Sequence, residues 1–373
     1  MATGADRIAC MRMATEAERL ASIKAYIQRC REVEPEDFSG MTEAERAAEA
    51  EKRRHKALEE ARRLQMEGHP RGRALEALAR ILDFDPKQEE GVYYNRIYFV
   101  DHATFDLDEE SPLGPMRYTD RVSKPGEKPY SPCAAVNIFS VKIGSSDVGF
   151  PIHVYGTVIA RDSIDQKCLY LFRRHRDHCQ LINSKDESLI LTGPKRGLAL
   201  ISDNFVEIDL KIKDHRGQDR ELSKGILTIR GIAGRWLGKR VVESESLATR
   251  LSTVDVMYAV VKCAMEANIV IEVVRGDFDG KITAHTTNIQ NSLVLYDSEV
   301  AGAVTSDGNG VIQLMRPVVS VYVKDMLKIV AETGDGKSCT IEFTPRVNYG
   351  EEDVITVGVT KMRVKVTWSI MDF

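Results

Sequence analysis

Three stretches of the chain alternate strictly between apolar and polar residues. Val206, Ile208, Leu210 and Ile212 are interleaved with Glu207, Asp209, Lys211 and Lys213. Met265, Ala267, Ile269, Ile271 and Val273 are interleaved with Glu266, Asn268 and Glu272, and Met362, Val364, Val366 and Trp368 with Arg363, Lys365 and Thr367. Successive side chains of an extended chain point to opposite faces. A period of two therefore predicts strands with one dry face and one wet face. Antiparallel sheets packed face to face carry this pattern, whereas parallel sheets covered on both sides read as unbroken apolar runs.

From Ala134 onward the text predicts strands near 135–143, 152–161, 168–173, 188–192, 204–213, 225–230, 251–261, 263–274, 280–287, 292–297, 310–315, 317–324, 326–332, 338–344 and 359–370. Turn signals such as Gly193-Pro194, Asp279-Gly280 and Gly334-Asp335-Gly336 separate them. Many short strands at this spacing predict a mainly β fold, a sandwich or an open barrel, and with the alternating runs an antiparallel β-sandwich is the expected one. There is also an internal echo. Val154–Ala160 followed by Leu169–Phe172 resembles Gly280–Ala284 followed by Leu293–Tyr296, and an apolar strand pair follows each. Two similar β units, or one sandwich with a duplicated half, would each produce it.

The front of the chain has a different period. Thr15 with Glu18, and Thr42 with Glu45, are capping-box patterns that open helices. Leu20, Ile23, Ile27 and Cys30 form a narrow apolar stripe on the first; Gly68 and Pro70 close the second. The second helix carries early acids and later bases, suiting the helix dipole and i,i+4 pairing, and has few large apolar residues to bury. It reads as a solvated helix or weak coiled coil, a route to self-association through the N-terminal helices. A third helix carries Leu75, Leu78 and Leu82 and stops at Pro86. Next come aromatics (Tyr93, Tyr94, Tyr98, Phe99), acids and prolines, expected to pack on the outside of the β region and then to run as a linker. The expected organisation is a charged α-helical extension over 1–85, a lead-in and linker over 86–132, and the β-sandwich domain over 133–373.

The formal net charge is −4, and residues 131–373 hold 30 Lys+Arg against 30 Asp+Glu. That balance argues against a general nucleic-acid binder, which needs a basic surface to displace counterions. The seven cysteines lie at 10, 30, 133, 168, 179, 263 and 339, an odd number without a CxxC pair, as expected of free thiols in a reducing compartment. No segment approaches the length of an apolar membrane span, and the N-terminus lacks an apolar leader region. A cytoplasmic protein is expected, with import into the nucleus or an organelle left open.

The densest reactive text is Phe172–Cys179. As a zinc site it offers His175, His178, Cys179 and nearby Cys168, but its spacing fits no standard finger. As a polyanion contact it offers Arg173, Arg174 and Arg176, which Lys195 and Arg196 of the Gly193–Gly197 turn would extend into one basic patch for RNA. The favoured alternative is a solvated loop whose arginines pair with Asp177, Asp186 or Glu187. Acids gathered in turns, among them Asp162 with Asp165 and Asp277 with Asp279, offer calcium ligands, but Asp is common in turns for local reasons. Trp236, beside Arg235 and Lys239, is a candidate surface contact, and Trp368 a core residue. No catalytic, metal or cofactor motif is expected: no G-x-S-x-G elbow, H-E-x-x-H pair or helix-opening G-x-G-x-x-G is present.

The strings VYGTVIARDSID (154–165), LTGPKRGLAL (191–200), FVEIDLKIK (205–213), GKITAHTT (280–287) with LVLYDS (293–298), and KVTWSIM (365–371) resemble a plant family defined only as a domain of unknown function and expanded in grasses. The lead-in YYNRIYFVDHATFDLDEESPLGPMRYTD (93–120) resembles the same family, so the likeness runs from about residue 90 to the end. Some members are joined to ribosome-inactivating rRNA N-glycosylase domains. The resemblance implies a role in stress or defence and carries no catalytic residue. The function expected is that of a non-catalytic interaction module with a protein or small-molecule partner; the alternative is RNA or polyanion binding through the basic loops.

Overall fold

The computed structural model describes residues 40–68, 71–88, 91–97, 105–116, 132–214, 217–231, 242–305, 310–347 and 349–371. The helix expected after Thr15 and the Trp236 contact lie outside them. Among the described residues two helices, α1 (Glu43–Met66) and α2 (Arg71–Ile81), precede the sheets. The second capping box forms: the Thr42 N–H donates to Glu45 Oε2 at 2.8 Å, and the Glu45 N–H to Thr42 Oγ1 at 3.4 Å. Gly68, at φ +70°, sits just past the end of α1, where a left-handed residue stops a helix. Gly72 lets α2 come close to α1, since a Cβ there would stand 2.6 Å from the Gln65 nitrogen.

A small hairpin follows, β1 (Leu82–Phe84) with β2 (Val92–Tyr94). The expected boundary at residue 85 falls between these paired strands, because Leu82 continues from α2 straight into β1.

The β region contains β3 (Ala134–Ser146), β4 (Ile152–Arg161), β5 (Leu169–Arg174), β6 (Gln180–Ile182), β7 (Leu198–Leu200), β8 (Asn204–Ile212), β9 (Arg220–Ile229), β10 (Val242–Thr249) and β11 (Ser252–Val261). It continues with β12 (Ala264–Arg275), β13 (Asp277–Phe278), β14 (Gly280–Thr286), β15 (Ile289–Asp297), a one-turn α3 (Ser298–Ala301), β16 (Val304–Thr305), β17 (Val318–Tyr322), β18 (Leu327–Thr333), β19 (Ser338–Phe343), β20 (Gly350–Val357) and β21 (Thr360–Ile370). Every named strand pairing is antiparallel.

The echo in the sequence is a repeated topology. One sheet runs β10-β11-β3-β7 and faces β5-β4-β8-β9, with β6 also on β4; the second half repeats the order as β20-β21-β12-β17 facing β15-β14-β18-β19. Each pair of sheets closes on its own core. The first is built from residues such as Val141, Val158, Phe172, Ile208 and Tyr258, the second from Ile271, Leu295, Ile329, Val364 and Trp368. A third, smaller cluster of Ala135, Ala199, Ala259, Val261, Ala264, Ile289 and Met371 lies where the two meet. Both sandwiches belong to one compact unit, Glu49–Phe373.

Two predicted strands, near 188–192 and 310–315, are single bridges instead: Ser188 to Lys142 and Val311 to Glu272. In each sandwich the chain bridges to the first strand, β3 or β12, and then crosses to β7 or β17. The strands β10 and β20 were not predicted. Both lie at sheet edges and carry polar text, VESESLAT and GEEDVITV, which protects an exposed edge but erases the apolar signal.

The wet faces are not all wet. Glu207 of β8 is 4% exposed and Glu266 of β12 is 5% exposed. The lead-in covers the first: Arg96 Nε reaches Glu207 Oε2 at 3.1 Å, the Ile97 N–H donates to Oε1 at 3.0 Å, and Arg161 donates to both oxygens at 2.8 and 2.9 Å. Glu266 accepts from the Gly197 N–H at 2.7 Å and the Met116 N–H at 3.2 Å. The Tyr93 hydroxyl donates to the Lys224 carbonyl at 2.7 Å, so that aromatic residue packs on the outside of the first sandwich.

Candidate ligand-binding groove

The two sandwiches are fused, not strung together. Only Lys262 and Cys263 separate β11 from β12, and Cys263 takes φ +44° to turn the chain. The Cys133 N–H donates to the Met371 carbonyl at 2.6 Å, and the Ala264 N–H to the Cys133 carbonyl at 2.9 Å. The buried Asn137 side chain acts as a short extra strand. Its amide donates to the Ser320 carbonyl at 2.7 Å and accepts from the Ser320 N–H at 3.0 Å. These bonds fix the angle between the sandwiches and with it the shape of the space at their junction.

That space is a groove of about 500 Å³, within the size range of small-molecule sites. One wall comes from β3. Between Ser140 and Ile138 the register on β11 slips by one residue, which leaves Phe139 as a bulge. Bulges re-aim side chains, and here Phe139 packs toward the second core and the junction cluster. Ser140 and Lys142, on the face opposite Val141 and Ile143, line the groove. The other wall is β15, an edge strand, which contributes Gln290, Ser292 and Val294 while Leu293 and Leu295 enter the second core. Leu189 and Leu191 of the crossing segment and Met315 supply apolar surface.

Arg316 is the residue of the groove that sequence reasoning missed. It is 4% exposed. One guanidinium nitrogen, Nη2, donates to the Ile138 carbonyl beside the bulge, tying the second sandwich to the first. Its Nε has no hydrogen-bond partner, and no carboxylate pairs with the group among the described residues. Burial pushes its pKa down to about 10. A residue between two strands, followed by proline, gives no sign in the sequence that it will be enclosed. The one acid in the lining among the described residues, Asp297, is already engaged: it pairs with Lys281 at 2.8 Å and accepts from the Glu299 N–H at 3.1 Å.

The basic residues singled out in the sequence do not gather into one surface. Arg196 is inside, 1% exposed, and grips Asp162 through two bonds of 2.6 and 3.0 Å, with Asp165 at 3.2 Å. Lys195 reaches Glu110 at 3.0 Å and the Ser111 carbonyl at 2.6 Å. Arg173 lies 3.9 Å from the same Glu110 and stacks over Tyr170 at 4.4 Å. Arg174 donates to the His178 carbonyl at 3.2 Å, while Arg176 binds Asp219 at 2.7 Å, away from Glu110. The Arg176 and Tyr155 hydrogen bonds hold the Asp219 carboxyl down to about 2. The partners expected for this loop, Asp177, Asp186 and Glu187, are replaced by Glu110 from the lead-in and Asp219 from the turn before β9.

The Cys and His groups are likewise dispersed. Cys168 is buried, with its sulfur 3.1 Å from the Leu107 carbonyl, and burial pushes its thiol pKa up. Cys179 lies 3.8 Å from His153 Nδ1. Among the described residues no group of three His, Cys, Asp or Glu is placed to hold a metal ion, and Asp162 with Asp165 serves Arg196 instead. The described cysteines (133, 168, 179, 263 and 339) are all free thiols. Among the described residues no helix is long and apolar enough to cross a membrane.

Two antiparallel sandwiches of one strand order, fused at a short joint with a groove beside it, define a tandem β-sandwich protein. Over residues 135–366, more than half of its length, the chain matches the family described as Domain of unknown function (DUF6598), and it belongs to that family. No curated protein matches it. Among solved structures it is similar to the C2A and C2B domains of extended synaptotagmin 2, calcium bound, at 7% identity and a TM-score of 0.22, over 65% of this chain and 97% of that one. It is also similar to human GIVD cytosolic phospholipase A2, at 10% identity and a TM-score of 0.21, over 64% of this chain and 31% of that one. The same phospholipase in complex with methyl gamma-linolenyl fluorophosphonate gives 10% identity and a TM-score of 0.22, over 64% and 33%. At these TM-scores nothing is carried over to this chain.

Proposed function

We propose that the chain is a non-catalytic binding module that holds a small molecule in the groove between its two sandwiches. The observation that carries this reading is the groove itself: about 500 Å³ at the joint, walled by both sandwiches, with apolar surface beside hydroxyls, amides and two cations. Sites of that composition bind by burying an apolar body and orienting it with a few polar bonds. Holding, not turnover, is the chemistry such walls supply. The role in plant stress or defence implied by the family resemblance suits a module of this kind, with the N-terminal helices as the route to a partner or a second copy.

The test uses the full chain and a neutral apolar dye, N-phenyl-1-naphthylamine. One equivalent is expected to bind with enhanced fluorescence. Ser292→Trp, which fills the groove from β15, is expected to weaken binding at least about tenfold, equivalent to roughly 1.4 kcal/mol. Unchanged dye binding in a Ser292→Trp protein that melts like the wild type would remove the groove from consideration.

A further inference from the structure

The repeated topology allows the two halves to be compared residue by residue at the groove. Arg196 and Arg316 hold corresponding places. Each stands two positions before an equivalent strand, Arg196 before β7 at Leu198 and Arg316 before β17 at Val318. Each is all but fully buried, at 1% and 4% exposure.

Their counter-charges differ. Arg196 takes its carboxylates from the turn between the second and third strands of its sandwich, where Asp162 binds it through both oxygens and Asp165 adds a third bond. The corresponding turn in the second sandwich is Thr287-Asn288, which contains no acid. The Nε of each arginine has no hydrogen-bond partner among the described residues, but where Arg196 has two carboxylates Arg316 has one backbone carbonyl, on Nη2, and a groove in front of it. A guanidinium buried without a carboxylate costs stability, and its planar fork matches a carboxylate better than any neutral acceptor. The other charged groups lining the groove point the same way. Lys142 has no ion pair among the described residues, while the charge of Asp297 is already met by Lys281.

We infer that the ligand of this groove is a small organic anion, an apolar body carrying a carboxylate-type group that pairs with Arg316 and is drawn in by Lys142. The ligand supplies to the second sandwich the acid that Asp162 supplies to the first. The apolar body lies along Phe139, Leu189 and Met315, and the β15 amides and hydroxyl hold its polar edges. This inference rests on the groove being a binding site and adds the charge of what it binds.

Calorimetric titration of the full chain with 2-naphthoate and with 2-naphthamide separates the two ideas, because these probes share a shape and differ in charge. 2-Naphthoate is expected to bind at least about tenfold more tightly than 2-naphthamide, the ratio that a charge-assisted hydrogen bond supplies. Arg316→Gln should abolish the preference. Lys142→Glu, at a half-buried position of β3 paired with Asp255 of β11, should weaken 2-naphthoate several-fold and affect 2-naphthamide far less. Equal binding of both probes, lost in Ser292→Trp, would overturn the charge assignment and leave the groove standing. A preference that survives both Arg316→Gln and Lys142→Glu would overturn it as well. Binding of neither probe would overturn both readings together.

Discussion

At the scale of single residues, this protein encloses charge and polarity where its sequence promises an ordinary sheet. Glu207 sits at a wet position of a strictly alternating strand, yet Arg161, itself 0% exposed, and Arg96 close over it. A buried ion pair is a weak source of net stability, but removing one partner strands the other in a medium that cannot solvate it. Arg161→Met is therefore expected to lower unfolding stability by roughly 3–5 kcal/mol, measured by urea titration. The double variant Arg161→Met/Glu207→Leu should recover much of that loss. A double variant no more stable than the single one would show that the pair does more than neutralise itself. None of this is legible in the alternation, which records only that position 207 is polar. The acid's partners include Arg161, 46 positions away along the chain, and Arg96, 111 positions away, and no local period reports on them.

At the scale of elements, the β1–β2 hairpin is held to the first sandwich by a second cluster. Arg250, at the tight turn between β10 and β11 with φ +53°, reaches Asp83 at 2.7 Å and Glu221 at 2.8 Å, and its backbone N–H donates to Asp85 at 2.5 Å. Burial alone would raise the Asp83 carboxyl, but the bonds from Arg250 and Asn95 outweigh it and hold the pKa below the ordinary value of 3.8. A carboxyl depressed in the folded state stabilises fully above its unfolded pKa, and the contribution is lost as pH falls through the folded value. Acid below about pH 4 is therefore expected to release the β1–β2 hairpin before the sandwiches melt. Amide exchange should show this first at residues 82–94, and Asp83→Asn should remove the pH dependence. Simultaneous loss of protection in hairpin and sandwiches would contradict it. The strands with apolar text were legible because period two is a local property: the three alternating runs became β8, β12 and β21. The polar edge strands β10 and β20 were not, because partners and position made them strands. The echo between the halves was legible for the same reason as the strands, since β4–β5 and β14–β15 repeat a local pattern.

At the scale of the whole molecule, a duplicated sandwich has been turned into something neither half contains. The Phe139 bulge, the Asn137 clamp on Ser320 and the Arg316 contact with the Ile138 carbonyl all cross the joint. The groove exists because they fix the halves at one angle. The most direct measurement is amide hydrogen exchange on the full chain with and without saturating 2-naphthoate. Protection is expected to rise together in residues 139–142 and 188–191 of the first sandwich and 290–297 and 315–318 of the second. Protection confined to one sandwich, or centred on Arg173–Arg176, would contradict a ligand held at the joint.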